Sequence, residues 1–203
     1  MSQFIVSARK YRPTTFDSVV GQEQVTQTLH NAIAANKIAQ AYLFCGPRGV
    51  GKTTCARIFA KEINKEAMPE GADLTFNIFE LDAASKNSVE DIRTITDQVR
   101  IPPQVGKYKV YIIDEVHMLS QAAFNAFLKT LEEPPPYAIF ILATTEKHKI
   151  QPTILSRCQI YDFKRINVKD IVPHLAKICE EENITFDQEA YANLLKKGFN
   201  FEF

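Results

Sequence analysis

The sequence is short of the features that mark several protein classes. Its four cysteines, Cys45, Cys55, Cys158 and Cys179, form no C-x-x-C pair, so neither a zinc knuckle nor a disulfide framework is indicated. Free thiols fit a reducing cytosol, and a cytoplasmic location is the expectation. No apolar run approaches the roughly 18 residues that a membrane span needs, so no membrane contact is expected. The N-terminus, Met1 to Val6, lacks the basic start and long apolar core of a signal peptide. No repeat or low-complexity segment interrupts the chain. Net charge is missing too: 24 basic residues balance 24 acidic ones. Bulk charge therefore argues neither for nor against nucleic acid, and any DNA contact has to come from a local patch.

What is present is enough for a well-built core. At 203 residues and 45% hydrophobic, the chain can form one core, or one core with a small appended bundle. The segment 8–21 is polar, basic and carries Pro13, and reads as an irregular arm. Val25, Leu29, Ala32 and Ile33 fall at helical spacing, which predicts an amphipathic helix over 22–36. Ala41 to Cys45 is a short apolar run that stops at Gly46, as a buried strand would. Cys55, Ile58, Phe59 and Ile63 mark a second helix.

The segment 65–75, with Pro69 and Gly71, reads as a loop, and Phe76 to Leu81 as a strand. Ser88 to Val99 reads as a helix stopped by Pro102 and Pro103. Lys109 to Ile113 is rich in β-branched and aromatic residues and reads as a strand. Phe124, Phe127, Leu128 and Leu131 give a helix ended by Pro134, Pro135 and Pro136. Ala138 to Leu142 and Gln159 to Phe163 complete a set of five strands. Alternation of strand and helix predicts an α/β fold with a five-stranded, mainly parallel sheet flanked by helices. After about residue 166 the pattern turns helical, with one stripe of Ile171, Val172, Leu175, Ile178 and Cys179 and part of another at Tyr191, Leu194 and Leu195. The expected domains are 1–166 and a short helical lid, 167–203. Pro173 should either kink the first lid helix or delay its start.

The chemistry concentrates at a few places. Gly46-Pro47-Arg48-Gly49-Val50-Gly51-Lys52-Thr53, followed by Thr54, fits the P-loop pattern G-x-x-x-x-G-K-[ST]. Glycines let the backbone curl so that its N–H groups face phosphate oxygens, and the next helix adds its positive N-terminal end. Lys52 should reach the β- and γ-phosphates of ATP, and Thr53 should hold Mg²⁺. A chance glycine-rich turn would lack the strand before it and the helix after it.

Val110 to Ile113 is an apolar strand that ends in two carboxylates, Asp114 and Glu115. Ligand sites in open α/β sheets lie at that strand edge. Asp114 is the candidate to hold Mg²⁺ through water, and Glu115 the candidate base that orients and polarises the attacking water. Read alone, the pair would be a solvated acidic turn; beside a P-loop it reads as catalytic. His117 follows closely, and a lone histidine of this kind is read as structural. Thr144 and Thr145 end the fourth strand, where a hydroxyl could bond the nucleophilic water or simply cap a turn. Arg157, in Ser156-Arg157-Cys158, reads as an arginine on an exposed turn that could reach a neighbouring γ-phosphate, although spacing alone favours a surface ion pair.

Taken together these elements resemble the AAA+ ATPases, and more closely the gamma/tau clamp-loader family of bacterial DNA polymerase III. The resemblance is carried by Ala8–Pro13, Phe16–Gln22, Tyr42–Thr53, Leu81–Ser85, Lys109–Leu119, Phe124–Pro135, Leu142–Thr145 and Thr153–Cys158. It runs to about residue 195. It implies a P-loop NTPase fold, with an adenine pocket lined by the stretch Ala8 to Pro13, including Arg9, and by Val19 and Val20. It matches Thr145 to the sensor-1 position, with Thr144 as second choice, and Arg157 to a finger acting on a neighbouring subunit. Other loader subunits, the sliding clamp, primer-template DNA and the polymerase III core are the implied partners. The polymerase activity would belong to that holoenzyme, since no nucleotidyl-transfer site is seen here. Lys86, Arg93 and Arg100 would be phosphate contacts in the loader spiral, or else a solvated helix face.

Three departures stand out. The family's four-cysteine zinc module has no counterpart in 64–76, which contains no cysteine, so no zinc ligands are assigned. No sensor-2 arginine occurs in 196–203, and a helical collar is not expected within these residues. The expectation is a lid cut short. The alternatives are a nucleotide-binding structural subunit with little turnover, a P-loop kinase, or another AAA+ motor such as a Holliday-junction helicase. Adjacent Asp114 and Glu115 and the sensor-like threonine favour an ATPase over a kinase. The Ser156-Arg157-Cys158 string and Leu128 to Pro135 favour the loader over the helicase.

Overall fold

The computed structural model describes residues 10–69, 76–185, 187, 189 and 193. Its centre is a five-stranded sheet of β1 (Ala41–Cys45), β2 (Ile78–Asp82), β3 (Lys109–Asp114), β4 (Ala138–Thr144) and β5 (Gln159–Asp162). The strand order is β2-β3-β4-β1-β5, and every pairing is parallel. Parallel sheets are covered on both faces, which is why β1, β3 and β4 are continuous apolar runs rather than alternating ones.

Period-two side-chain alternation sends the residues of each strand to two separate cores. Tyr42, Phe44, Val110, Ile112, Ile139 and Ile141 face one side. They pack on α1 (Glu23–Ala34) and α2 (Lys52–Glu62) through Val25, Leu29, Cys55, Phe59 and Ile63. Leu43, Tyr111, Ile113, Phe140 and Leu142 face the other. That side is covered by α3 (Val89–Val99) and α4 (Gln121–Glu132) through Ile92, Ile95, Val99, Phe124, Phe127 and Leu131. Aromatic edges lock the layers: Phe127 meets Phe140 edge-on at 5.2 Å, and Tyr42 meets Phe59 at 4.9 Å.

Helix ends follow local chemistry. Ser88 caps α3 by accepting the Asp91 N–H, and Asp91 returns the bond in a capping box. Ser120 caps α4 through the Ala123 N–H. At the far end of α3, the buried Lys109 ammonium donates to Gln98 O at 2.9 Å and Ile101 O at 3.1 Å. A lysine there satisfies carbonyls the helix leaves open and complements its negative end.

Two boundaries differ from expectation. The second strand begins at Ile78, not Phe76, which is 75% exposed. Asn77 explains the offset: its side chain is buried and donates to Val105 O and to Tyr108 O, pinning the turn before the strand. The helix after the sheet, α6 (Val168–Glu181), contains Pro173 and starts five residues ahead of it, so the proline does not delay the start. Its missing N–H instead removes the bond that the Lys169 carbonyl would receive. A short α5 (Pro152–Leu155) precedes β5, with the proline at the first turn where it costs nothing. The stripe at Tyr191, Leu194 and Leu195 lies outside the described residues.

Candidate active site

The strand order decides where the chemistry sits. β4 lies between β1 and β3, so three carboxyl ends stand side by side, with neighbouring strands about 4.8 Å apart. β1 delivers the glycine-rich loop, β3 delivers Asp114 and Glu115, and β4 delivers Thr144 and Thr145.

The loop needs glycine at two places for different reasons. At Gly46, φ is +151°, and a Cβ would stand 2.8 Å from Phe163 Cβ and nearer still to its carbonyl oxygen. Gly51 is the N-cap of α2 with φ +96°, a left-handed conformation that turns the chain into the helix. Lys52 is the first helical residue. Its Nζ donates to Gly46 O at 2.8 Å and Pro47 O at 2.7 Å, so the ammonium is held over the loop's mouth. Burial lowers its proton affinity, while Glu115 and Asp114 oppose that shift.

Across the cleft, Thr53 Oγ1 donates to Asp114 Oδ2 at 2.6 Å. Asp114 Oδ1 accepts the Glu115 N–H at 2.9 Å. Glu115 itself sits at φ 45°, ψ 44°, a left-handed conformation that a residue with a side chain rarely adopts. Such local strain concentrates at functional sites, where the surroundings enforce it. The Glu115 carboxylate is held at the β4 end: Oε2 accepts from Thr145 Oγ1 at 3.0 Å and from Thr145 N–H at 3.2 Å. Lys52, Thr53, Asp114 and Glu115 line one open cleft of about 440 Å³, together with Arg48, Gly49, Gly51 and Thr54.

The cleft is also lined by Arg12, within the arm expected at the adenine pocket, and by Arg57, Asp82 and Ala84, which carried no assigned role. Arg57 stands one helical turn after Thr53, and Asp82 pairs in register with Asp114, so helix spacing and strand order locate both. Arg57 makes a forked ion pair with Glu80 on β2. His117 is the other surprise. Read from sequence as structural, its side chain is only 5% exposed and lies 3.4 Å from the Glu115 carboxylate.

The remaining expected residues are placed as follows. Pro13 and Val20 are half-buried, and Val19 lies in the core against the loop at Gly51. Ala8 and Arg9 lie outside the described residues. Arg157 does not line the cleft; it lies on the turn after α5, where it pairs with Glu132 at 2.6 Å. Lys86, Arg93 and Arg100 are exposed on and beside α3.

Residues 21–167 match the protein family described as DNA polymerase III, delta subunit. The chain belongs to that family. Its curated relatives carry tau and gamma names: the chain is 51% identical to DNA polymerase III subunit tau of Bacillus subtilis, over 89% of this chain and 34% of that protein. It is 47% identical to subunit tau/gamma of Haemophilus influenzae, over 94% of this chain and 30% of that protein. The resemblance read from the motifs is thus shown at the level of the whole alignment, and the chain spans about a third of the length of these relatives.

The fold is a P-loop NTPase α/β fold, a five-stranded parallel sheet flanked by helices. The RuvB Holliday junction branch migration motor of Thermotoga maritima superposes with a TM-score of 0.67 at 22% identity, covering 90% of this chain and 58% of that one. A DNA polymerase III gamma subunit-related protein from the same organism gives 0.59 at 24%, covering 82% and 57%. Backbone likeness is no weaker to the branch-migration motor than to the gamma-related protein. Kinship to the DNA polymerase III family therefore rests on sequence, where identity is about twice as high. Among the described residues no helix is long and apolar enough to cross a membrane.

Proposed function

We propose that this chain binds and hydrolyses ATP in the cleft between Gly46 and Glu115, and serves as the motor module of a bacterial clamp loader. The observation that carries the reading is convergence. One ammonium, one hydroxyl and two carboxylates from two segments far apart in sequence surround a single cleft at the sheet's carboxyl edge. Magnesium fits this donor set, because Thr53 Oγ1 and Asp114 Oδ2 are hard oxygens 2.6 Å apart. The ion would be held by Thr53 and, through water, by Asp114, and when bound it neutralises charge on the phosphate oxygens.

The chain's own residues divide the remaining work. The loop N–H groups and the N-terminus of α2 bind the phosphates. Lys52 exchanges its two carbonyl partners for phosphate oxygens. Glu115 takes a proton from water as that water's oxygen bonds to the γ-phosphorus and the bond to the bridging oxygen breaks, giving ADP and phosphate. Thr145, which holds the Glu115 carboxylate, is the sensor candidate. Arg157 acts on a neighbouring subunit's γ-phosphate. The bond it must first give up, to Glu132, is partly exposed and worth about 0.2–1 kcal/mol, so the exchange is cheap.

Other loader subunits, the sliding clamp, primed DNA and the polymerase III core are the proposed partners, in the cytoplasm, with Lys86, Arg93 and Arg100 available to DNA phosphates. The names of the relatives, each a DNA polymerase III subunit, support this setting. The test is Glu115→Gln, which keeps the side chain's size but removes the base. It should retain Mg-ATP binding and lose turnover at least about a hundredfold. Turnover equal to the parent protein would remove Glu115 from its role.

A further inference from the structure

The strongest unused observation is the wedge that His117 drives between the two catalytic strand ends. Its Nδ1 lies 3.0 Å from Thr144 Oγ1 and 3.4 Å from Glu115 Oε2. Its Nε2 lies 3.4 Å from Glu146 Oε1. Each partner is itself fixed. Thr144 is fully buried, and its Oγ1 accepts the Glu146 N–H at 3.0 Å. Glu146 is held by Lys149 at 2.6 Å. The ring is thus tied at both nitrogens to the end of β4, one residue either side of Thr145, and turns the edge bearing Nδ1 toward the glutamate.

A base needs a defined direction as well as a suitable proton affinity, and a misplacement of about 1 Å can cost about a hundredfold in rate. Glu115 has three rotatable side-chain bonds about which its carboxylate can swing, and its backbone is strained at φ 45°. Thr145 holds one carboxylate oxygen from one side. His117 closes on the same oxygen from another.

We propose that His117 is a positioning residue for Glu115. Its ring, braced by Glu146 and Thr144, fixes the direction of the carboxylate that takes the proton from water. This rests on Glu115 being the base, and it extends that reading to a group that touches neither nucleotide nor water. The histidine acts through Nδ1, and Nε2 serves only as the brace.

The two nitrogens can be separated by substitution. Asparagine places an amide near the position of Nδ1, and glutamine places one near Nε2. His117→Ala, His117→Asn, His117→Gln, Glu115→Gln and the double variant of Glu115→Gln with His117→Ala would be compared in the full chain for Mg-ATP binding and steady-state hydrolysis. His117→Ala should lower kcat about tenfold, the loss expected for one hydrogen bond that orients a base. Its Mg-ATP dissociation constant should stay within about twofold, because ground-state binding does not use the base. His117→Asn should recover kcat to within about threefold of the parent, and His117→Gln should not. The double variant should be no slower than Glu115→Gln alone, because the histidine works only through the glutamate.

The outcomes separate the two readings. Glu115→Gln turning over normally overturns the base assignment and this proposal with it. Glu115→Gln inactive with His117→Ala at parental kcat leaves the base standing and overturns the positioning role. A His117→Ala loss confined to Mg-ATP affinity, or additive losses in the double variant, also overturns it. Should His117→Ala fail to fold, the asparagine and glutamine variants decide: equal kcat in those two refutes action through Nδ1.

Discussion

Glycine at position 115 should leave the fold more stable than alanine, although glycine is ordinarily the costlier of the two. Glu115 occupies φ 45°, ψ 44°. Any Cβ in that region costs about 1–2 kcal/mol through its clash with the following carbonyl. Glycine avoids the clash but has more freedom to lose from the unfolded chain, about 0.4–1 kcal/mol. Both substitutions remove the carboxylate bonds to Thr145 and the contact with His117, so those losses cancel in the comparison. The net is about 1 kcal/mol in favour of Glu115→Gly, or about 2–4 °C in Tm for a chain of this size. Paired urea and thermal melts of the two variants measure it directly. Both should be inactive, so the strain would be seen as stability given up for placing a carboxylate at the end of β3. If Glu115→Ala matched or exceeded Glu115→Gly, the backbone there would be relaxed in solution, and the argument from strain would fail.

Other expectations follow from single contacts. Phe127 is fully buried and meets Phe140 edge-on at 5.2 Å, so Phe127→Ala should cost about 3–5 kcal/mol in urea unfolding; a loss under about 1 kcal/mol would mean that α4 does not pack as described. Burial pushes the Cys55 thiol up to about 12, against about 8.5 in an unfolded chain. The unfolded chain therefore releases this proton first. Stability from the buried thiol is intact below pH about 8.5 and falls by about 1.4 kcal/mol per pH unit as pH rises toward 12. Cys55→Ala should flatten that alkaline decline, and an unchanged slope would contradict the burial. Arg157→Ala should lower Tm by no more than about 3 °C, since the ion pair with Glu132 is partly exposed. In mixed assemblies with parental subunits the same change should depress hydrolysis at the neighbouring site, and full activity there would remove the finger assignment.

Much of the fold was legible because its strands are buried on both faces. Ala41–Cys45, Lys109–Asp114 and Ala138–Thr144 are buried, largely apolar runs, and each gives way to polar residues or glycine at its carboxyl end. β2 was harder to place. It lies at the sheet edge and is only partly covered, so exposed Phe76 drew the start two residues early, while the buried side chain of Asn77 carried no hydrophobic signal. Lys52, Thr53 and Asp114 were legible because motif spacing encodes them. His117 was not. Its importance depends on β4 lying beside β3, a long-range pairing that no local pattern contains. Arg57 and Asp82 belong to the same class, brought to the cleft by one helical turn and by strand register.

The central claim is that the ammonium of Lys52 and the carboxylates of Asp114 and Glu115 enclose a magnesium-bound triphosphate. Calorimetric titration of the folded protein with Mg-ATP, beside Lys52→Ala, tests it most directly. The account predicts saturable one-to-one binding, weakened by about ten- to a hundredfold when the charged hydrogen bonds of Lys52 are removed. No binding to the folded parent protein, or equal affinity in the two, would contradict it.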